Sequence, residues 1–150
     1  MNVLLRTSAA LLTSPAPGAI AVVAIAGANA HAICEKVLRT ANGGIPTLRS
    51  DRPILCGIMD GDDRLDDVVV VRSGVGKSER IDLCTHGGVR IVQRVLDLLA
   101  RRGADIVEPE RFFALLEDGN PIQRAVDLAL LGCNSRRMAT WLLSQRAVLP

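Results

Sequence analysis

Aromatic residues are almost absent. The 150 residues hold Phe112, Phe113 and Trp141 and no tyrosine, 2% in all. A platform that stacks single-stranded bases needs several exposed rings, so that function is excluded. An excess of one charge sign is missing too: 18 Lys and Arg against 16 Asp and Glu leave +2. That balance creates no strong field for a polyanion or a membrane surface, and direct RNA binding is not supported. No apolar stretch reaches the about 20 residues of a membrane-spanning helix. Cys34, Cys56, Cys84 and Cys133 stand far apart, with no C-x-x-C pair. Cys84 and His86 alone lie at ligand spacing, and a zinc site needs more donors than two, so no metal is expected. Free thiols fit a reducing, cytoplasmic setting.

What is present is a globular balance, 49% hydrophobic and 23% charged. A chain of this length can bury a sizeable core without disulfides. Residues 18–27 are apolar, and Ala28-Asn29-Ala30 imitates a signal-peptidase site. Against a cleaved signal in residues 1–30 stand a single Arg6, then Pro15 and Pro17 directly before the run. Alternating Ile and Val there suit a strand better.

The hydrophobic pattern predicts strands over 9–14 and 19–26, joined by the Pro15-Ala16-Pro17-Gly18 turn. Asn29 is the expected N-cap of a helix running to about residue 39. A hairpin follows, with strands 54–59 and 65–72 about a turn at 60–63. Residues 80–85 alternate as a half-buried strand, Ile81 and Leu83 to one face and Arg80, Asp82 and Cys84 to the other. Val92, Val95, Leu96 and Leu99 mark an amphipathic helix, stopped by Gly103. A short strand over 104–107 and a helix from Pro109 to about residue 117 come next, then a turn at 118–121. Residues 122–145 read as helical, open to a break at Gly132 or Asn134, with Leu128, Leu131, Met138, Trp141 and Leu142 on one face. The fold class is α+β, a mixed or largely antiparallel sheet with packed helices.

Three motifs tempt a chemical reading. Gly74-Val75-Gly76-Lys77-Ser78 imitates a phosphate cradle, but Val71 stands where the first P-loop glycine belongs, and a strand follows instead of a helix. A hairpin loop with a basic tip is the better reading. Asp60, Asp62, Asp63, Asp66 and Asp67 have no calcium-loop spacing and read as a solvated turn. In Asp82-Leu83-Cys84-Thr85-His86-Gly87-Gly88 a strand ends on histidine and two glycines. Glycine there lets a ligand or a second backbone come close, and the next helix offers free N–H groups. A thiol or imidazole catalyst at Cys84 or His86 would need a low thiol pKa or an orienting carboxylate, and neither is placed by sequence. No catalytic residue is assigned.

The order of these pieces resembles the N-terminal domain of the MnmE (TrmE) family of tRNA modification GTPases. T-S-P-A-P-G-A-I-A-V-V-A-I-A-G (residues 13–27) is similar to its T-P-P-G-R-G-G-I-(x)3-R-I-S-G opening. I-D-L-C-T-H-G-G (residues 81–88) resembles its E-(x)3-H-G-G turn, and G-A-D-I-V-E-P-E-R-F (residues 103–112) its G-A-R-x-A-x-P-G-E-F segment. Spacing matches over about residues 9–130, and residues 122–145 look like the start of the family's helical domain. The resemblance implies a domain over 1–120 with a fold like the folate domain of glycine-cleavage T proteins, and a helical extension over 121–150. It implies a homodimer, a 5-formyl-tetrahydrofolate cofactor and a role in tRNA wobble-uridine modification, with a separate GTPase or tRNA-modification protein as partner. Asp82, His86, Gly87, Gly88 and Gly18 fall on the implied cofactor-binding positions, while the family's Arg and Lys fall on Ala24 and Pro121. No nucleotide-hydrolysis motif accompanies them. The alternative is a non-catalytic dimerisation or interaction module without folate.

Overall fold

The computed structural model describes residues 6–50, 52–74, 79–116 and 121–148. Four residues of the basic-tipped loop (75–78) and most of the 118–121 turn lie outside them. One mixed sheet organises the chain. Its strands are β1 (Ser8–Leu11), β2 (Ile20–Ala26), β3 (Leu38–Arg39), β4 (Ile54–Asp60), β5 (Asp63–Ser73), β6 (Arg80–His86) and β7 (Asp105–Ile106). They run in the order β3-β4-β5-β6-β2-β1-β7. Every neighbouring pair is antiparallel except β1 with β7. The helices are α1 (Ala30–Val37), α2 (Val89–Arg101), α3 (Pro109–Leu115), α4 (Pro121–Leu131) and α5 (Arg136–Val148). The α+β class read from the sequence holds. No helix among the described residues is long and apolar enough to cross a membrane.

The sheet is covered on both faces because its strands carry two apolar sets. Val23, Ile25, Ile81, Leu83, Val68 and Val70 face α1 and α2, which contribute Ile33, Val37, Val95 and Leu99. On the other face Ala10, Ala24 and Ala26 lie beneath Phe112, Phe113 and Leu116 of α3 and its C-terminal end, and α4 adds Leu128 and Leu131. The small β2 residues leave room for two phenyl rings to pack against the strand.

Several local expectations shift. The Asn29 side chain makes no cap bond. Its backbone N–H donates instead to Thr7 Oγ1 at 2.8 Å, tying the helix start to β1. The first helix stops at Val37, and Leu38–Arg39 join the sheet edge beside β4. Sheet pairing has overridden helical periodicity there. The strand after the hairpin is longer than expected, 11 residues, and carries a register shift opposite Ile58 and Met59. The bulge explains why Leu65 and Val68 are both buried while strict alternation would separate them. The last helical stretch breaks after Leu131, as the Gly132–Asn134 signal suggests. Within α5 Leu142 is buried, while Met138 and Trp141, on the same side of the helix, are 52% and 57% exposed.

The acidic hairpin turn is solvent-exposed, as its composition implies, and several of its carboxylates are paired. Asp60 accepts from Arg101 at 2.5 Å and Asp63 from Arg94 at 2.6 Å, while Arg64 pairs with Asp67. Arg94 and Arg101 are two turns apart on α2, so one helix flank meets the hairpin tip. Each such surface pair contributes at most about 1 kcal/mol.

Candidate functional site

The strand β6 sets the site. Its register puts Asp82 opposite Ala24 of β2 and Val71 of β5, and Arg80 opposite Ala26 and Ser73. Alternation therefore turns Arg80, Asp82 and Cys84 toward the face carrying the phenylalanines, as the sequence pattern indicates. Asp82 is 13% exposed at its side chain. Arg80 Nε lies 3.1 Å from Asp82 Oδ1 and donates to Oδ2 at 3.3 Å. The Arg80 guanidinium in turn stands over the Phe113 ring, 5.7 Å from its centre, a cation–π contact that fixes its plane. Asp82 Oδ1 and Ser73 Oγ are both buried, and neither completes a hydrogen bond among the described residues. Ser73 is nevertheless near enough to draw the Asp82 pKa down a little.

Burial wins over these attractions, and the Asp82 pKa is raised above the ordinary aspartate value. A carboxyl whose folded pKa exceeds its unfolded one favours folding only while protonated. Its contribution is full below the unfolded pKa and is lost as pH rises through the folded pKa. At neutral pH Asp82 thus costs stability. Asp82→Asn is expected to raise the thermal midpoint at pH 7, with the advantage shrinking as pH falls toward 4. Paired melts at the two pH values measure this, and an equal or lower midpoint at pH 7 refutes it.

His86 is placed differently. Its ring is 72% exposed, and Nδ1 lies 2.6 Å from Oδ1 of Asp66. The other Asp66 oxygen accepts the His86 backbone N–H at 2.8 Å. This contact with Asp66 raises the His86 pKa above 6.5. Charged His86 therefore favours the fold below pH 6.5, and that contribution fades as pH climbs through the raised value. Asp66→Asn is expected to return the His86 titration toward 6.5, followed by the imidazole proton shift in NMR. An unmoved midpoint would deny the pairing. Asp66 escaped the sequence reading because it looked like one more turn aspartate. Strand register places it beside His86, on the same face as Val68 and Val70 and at 9% side-chain exposure.

The glycines do separate work. Gly18 N–H donates to Gly87 O and Gly87 N–H to Ala19 O, both at 3.1 Å. A Cβ on Gly87 would stand 2.3 Å from Gly18 O, so glycine is needed for backbone to pass backbone. Gly88 is the N-cap of α2 without special geometry, its nearest contact for an added Cβ being Ile91 at 3.7 Å. Gly18 and Gly87 thus meet, while His86 sits with Asp66, and Asp82 lies about 13 Å from His86 along the strand at about 3.3 Å per residue. A cavity of about 150 Å³ opens beside Gly87, lined by Leu11, Ile20, Val92 and Leu96, and neither Asp82 nor His86 reaches it.

The thiols are poorly suited to nucleophilic work. Burial, then the Asp82 charge, raises the Cys84 pKa, and Cys34 is pushed up to about 12. A thiolate is the reactive form, and burial disfavours it at both positions. At the base of the loop, Glu79 accepts from Arg72 at 2.7 Å and meets His31 Nε2 at 2.5 Å. Arg72 first, then His31, holds the Glu79 carboxyl below its usual range in spite of partial burial.

A seven-stranded sheet layered by helices, with a largely buried carboxylate on one face and a glycine crossover at the strand end, defines an α+β domain. The chain belongs to the family described as GTP-binding protein TrmE N-terminus, whose model matches residues 7–113. It is 33% identical over 110 residues to the tRNA modification GTPase MnmE of Thermotoga maritima, 71% of this chain and 24% of that protein. The MnmE proteins of Moorella thermoacetica (34% over 113 residues) and Enterococcus faecalis (31% over 112) match the same 71% of the chain and 24% of their own length. The chain thus spans about a quarter of these relatives. The kinship read from the motifs is correct, and it associates the chain with tRNA modification.

Proposed function

We propose that this domain binds a reduced folate, 5-formyl-tetrahydrofolate, on the Asp82 face of the sheet and homodimerises, serving tRNA modification beside a separate GTPase in the cytoplasm. One observation carries the reading: Asp82 is a largely buried carboxylate, at a cost to the fold, and its Oδ1 lies in an ion pair with Arg80 but completes no hydrogen bond. A buried acceptor that completes no hydrogen bond is a place for a ligand N–H, and the pterin ring presents a row of them. Ser73 Oγ offers a second polar contact, and Arg80 is linked to the carboxylate through Nε, with its terminal NH2 groups making no hydrogen bond among the described residues. Gly18, Gly87, Gly88 and His86 then shape the far end of the strand rather than the carboxylate pocket.

Isothermal titration with 5-formyl-tetrahydrofolate tests this. Saturable binding is expected, weakened roughly tenfold to a hundredfold by Asp82→Ala, the loss of one charge-assisted contact. Unchanged affinity in the variant would remove Asp82 from the site. The second reading is a dimerisation module that has lost the ligand. Ala24 favours it, since it is fully buried beneath α3 and carries no cation, and so does exposed Pro121. Absence of heat at millimolar ligand would establish that reading.

A further inference from the structure

The C-terminal helices carry a feature that the folate reading leaves unused. Between α4 and α5 lies a groove of about 680 Å³ lined by Ala129, Gly132, Met138, Trp141 and Leu142, with Arg137 at its rim. Leu142 is its buried floor at 8% exposure. Ala129 and Gly132 present almost no side chain, which lets another backbone approach closely. Two large side chains on its wall, Met138 and Trp141, are more than half exposed. Such a wall is a surface for a partner rather than a finished core, and Met adapts readily to a new neighbour.

Charge limits what can occupy it. Residues 136–148 contain three arginines and no acid. Arg136 and Arg137 are exposed, and their side chains make no ion pair among the described residues. A second copy docking by a two-fold axis would present the same arginines to each other. A single-stranded nucleic acid would find one ring and an aliphatic wall in place of a row of rings. We propose that the groove receives one amphipathic helix of a different protein, apolar on the seated face and acidic along its flanks, in the helix-in-groove mode. The wall residues take the apolar anchors, and Arg137 at the rim, with exposed Arg136 beside it in the chain, chooses the charge of the flank.

Trp141 is the only tryptophan, so its emission reports the groove without labelling. The intact chain is titrated with a designed helical peptide bearing leucines at i, i+3, i+4 and i+7 and glutamates on the flanks, and with its lysine-flanked counterpart. The expected result is a saturable blue shift with the acidic peptide, at least about fivefold weaker with the basic one. Met138→Glu, at an exposed position that the fold tolerates, should abolish it while leaving the thermal midpoint unchanged. Four outcomes overturn the proposal: no shift with either peptide, equal binding of both, full binding by Met138→Glu, or a blue shift on concentrating the chain alone. The last would make a second copy the occupant. Because the groove is remote from Asp82 in the chain, failure here leaves the folate titration untouched, and the reverse also holds.

Discussion

Gly87→Ala is expected to destabilise the domain by about 3–5 kcal/mol, as the sum of overpacking and two weakened backbone hydrogen bonds. The added methyl would meet Gly18 O at 2.3 Å and Gly18 C at 2.6 Å. Both are main-chain atoms, held in place by the reciprocal bonds between Gly87 and residues 18 and 19. Relief requires the two chains to part, and parting breaks the pairing that extends β2 along β6. For a domain of this size the melting midpoint should fall by roughly 10 °C. Gly88→Ala is the control, expected to change stability by no more than about 0.5 kcal/mol, because its new Cβ would find only ordinary contact with Ile91 at 3.7 Å. Denaturant titration of both variants decides the matter. Equal stability would mean that the crossover is loose and that Gly87 serves something other than backbone clearance.

Phe112→Ala carries the second large effect, a loss of about 3–5 kcal/mol. Phe112 is 1% exposed and packs edge-to-face with Phe113, ring centres 6.0 Å apart. It closes the apolar cluster over Ala10 and Ala24 that joins α3 to the sheet. With alanine beneath it on the strands, nothing nearby is long enough to refill the space. Phe112→Leu should lose only about 1–1.5 kcal/mol, since most of the volume stays. Urea unfolding of the two variants measures the difference. A loss below about 1 kcal/mol for the alanine variant would show that α3 is not anchored through this ring.

Element identity was legible in the chain because it rests on local patterns. The alternation of Ile81 and Leu83 with Arg80 and Asp82, the spacing of Val92, Val95 and Leu99, and the glycines at 61 and 103 each decide conformation within a few residues. The departures came where distant segments compete. Leu38 and Arg39 continue a helical pattern, but the edge of β4 takes them. Asn29 has the right side chain for a cap, but Thr7 claims its backbone.

The candidate site divides along the same line. Asp82 and the glycine pair stood out because their residue types are unusual at the end of a strand. Asp66, Arg80 and Ser73 did not, since a charged or hydroxyl residue on a strand edge is ordinary until its neighbours are known. By itself the sequence determined the α+β class, the family and the position of the polar strand face, through periodicity and motif order. Only the tertiary structure decided that His86 answers to Asp66, that Arg80 stands between Asp82 and Phe113, and that Gly87 clears a passing backbone. Each case includes a contact between residues 20 or more positions apart, His86 with Asp66, Arg80 with Phe113 and Gly87 with Gly18. Sheet register and the packing of α3 set them, and neither is written in any local run of residues.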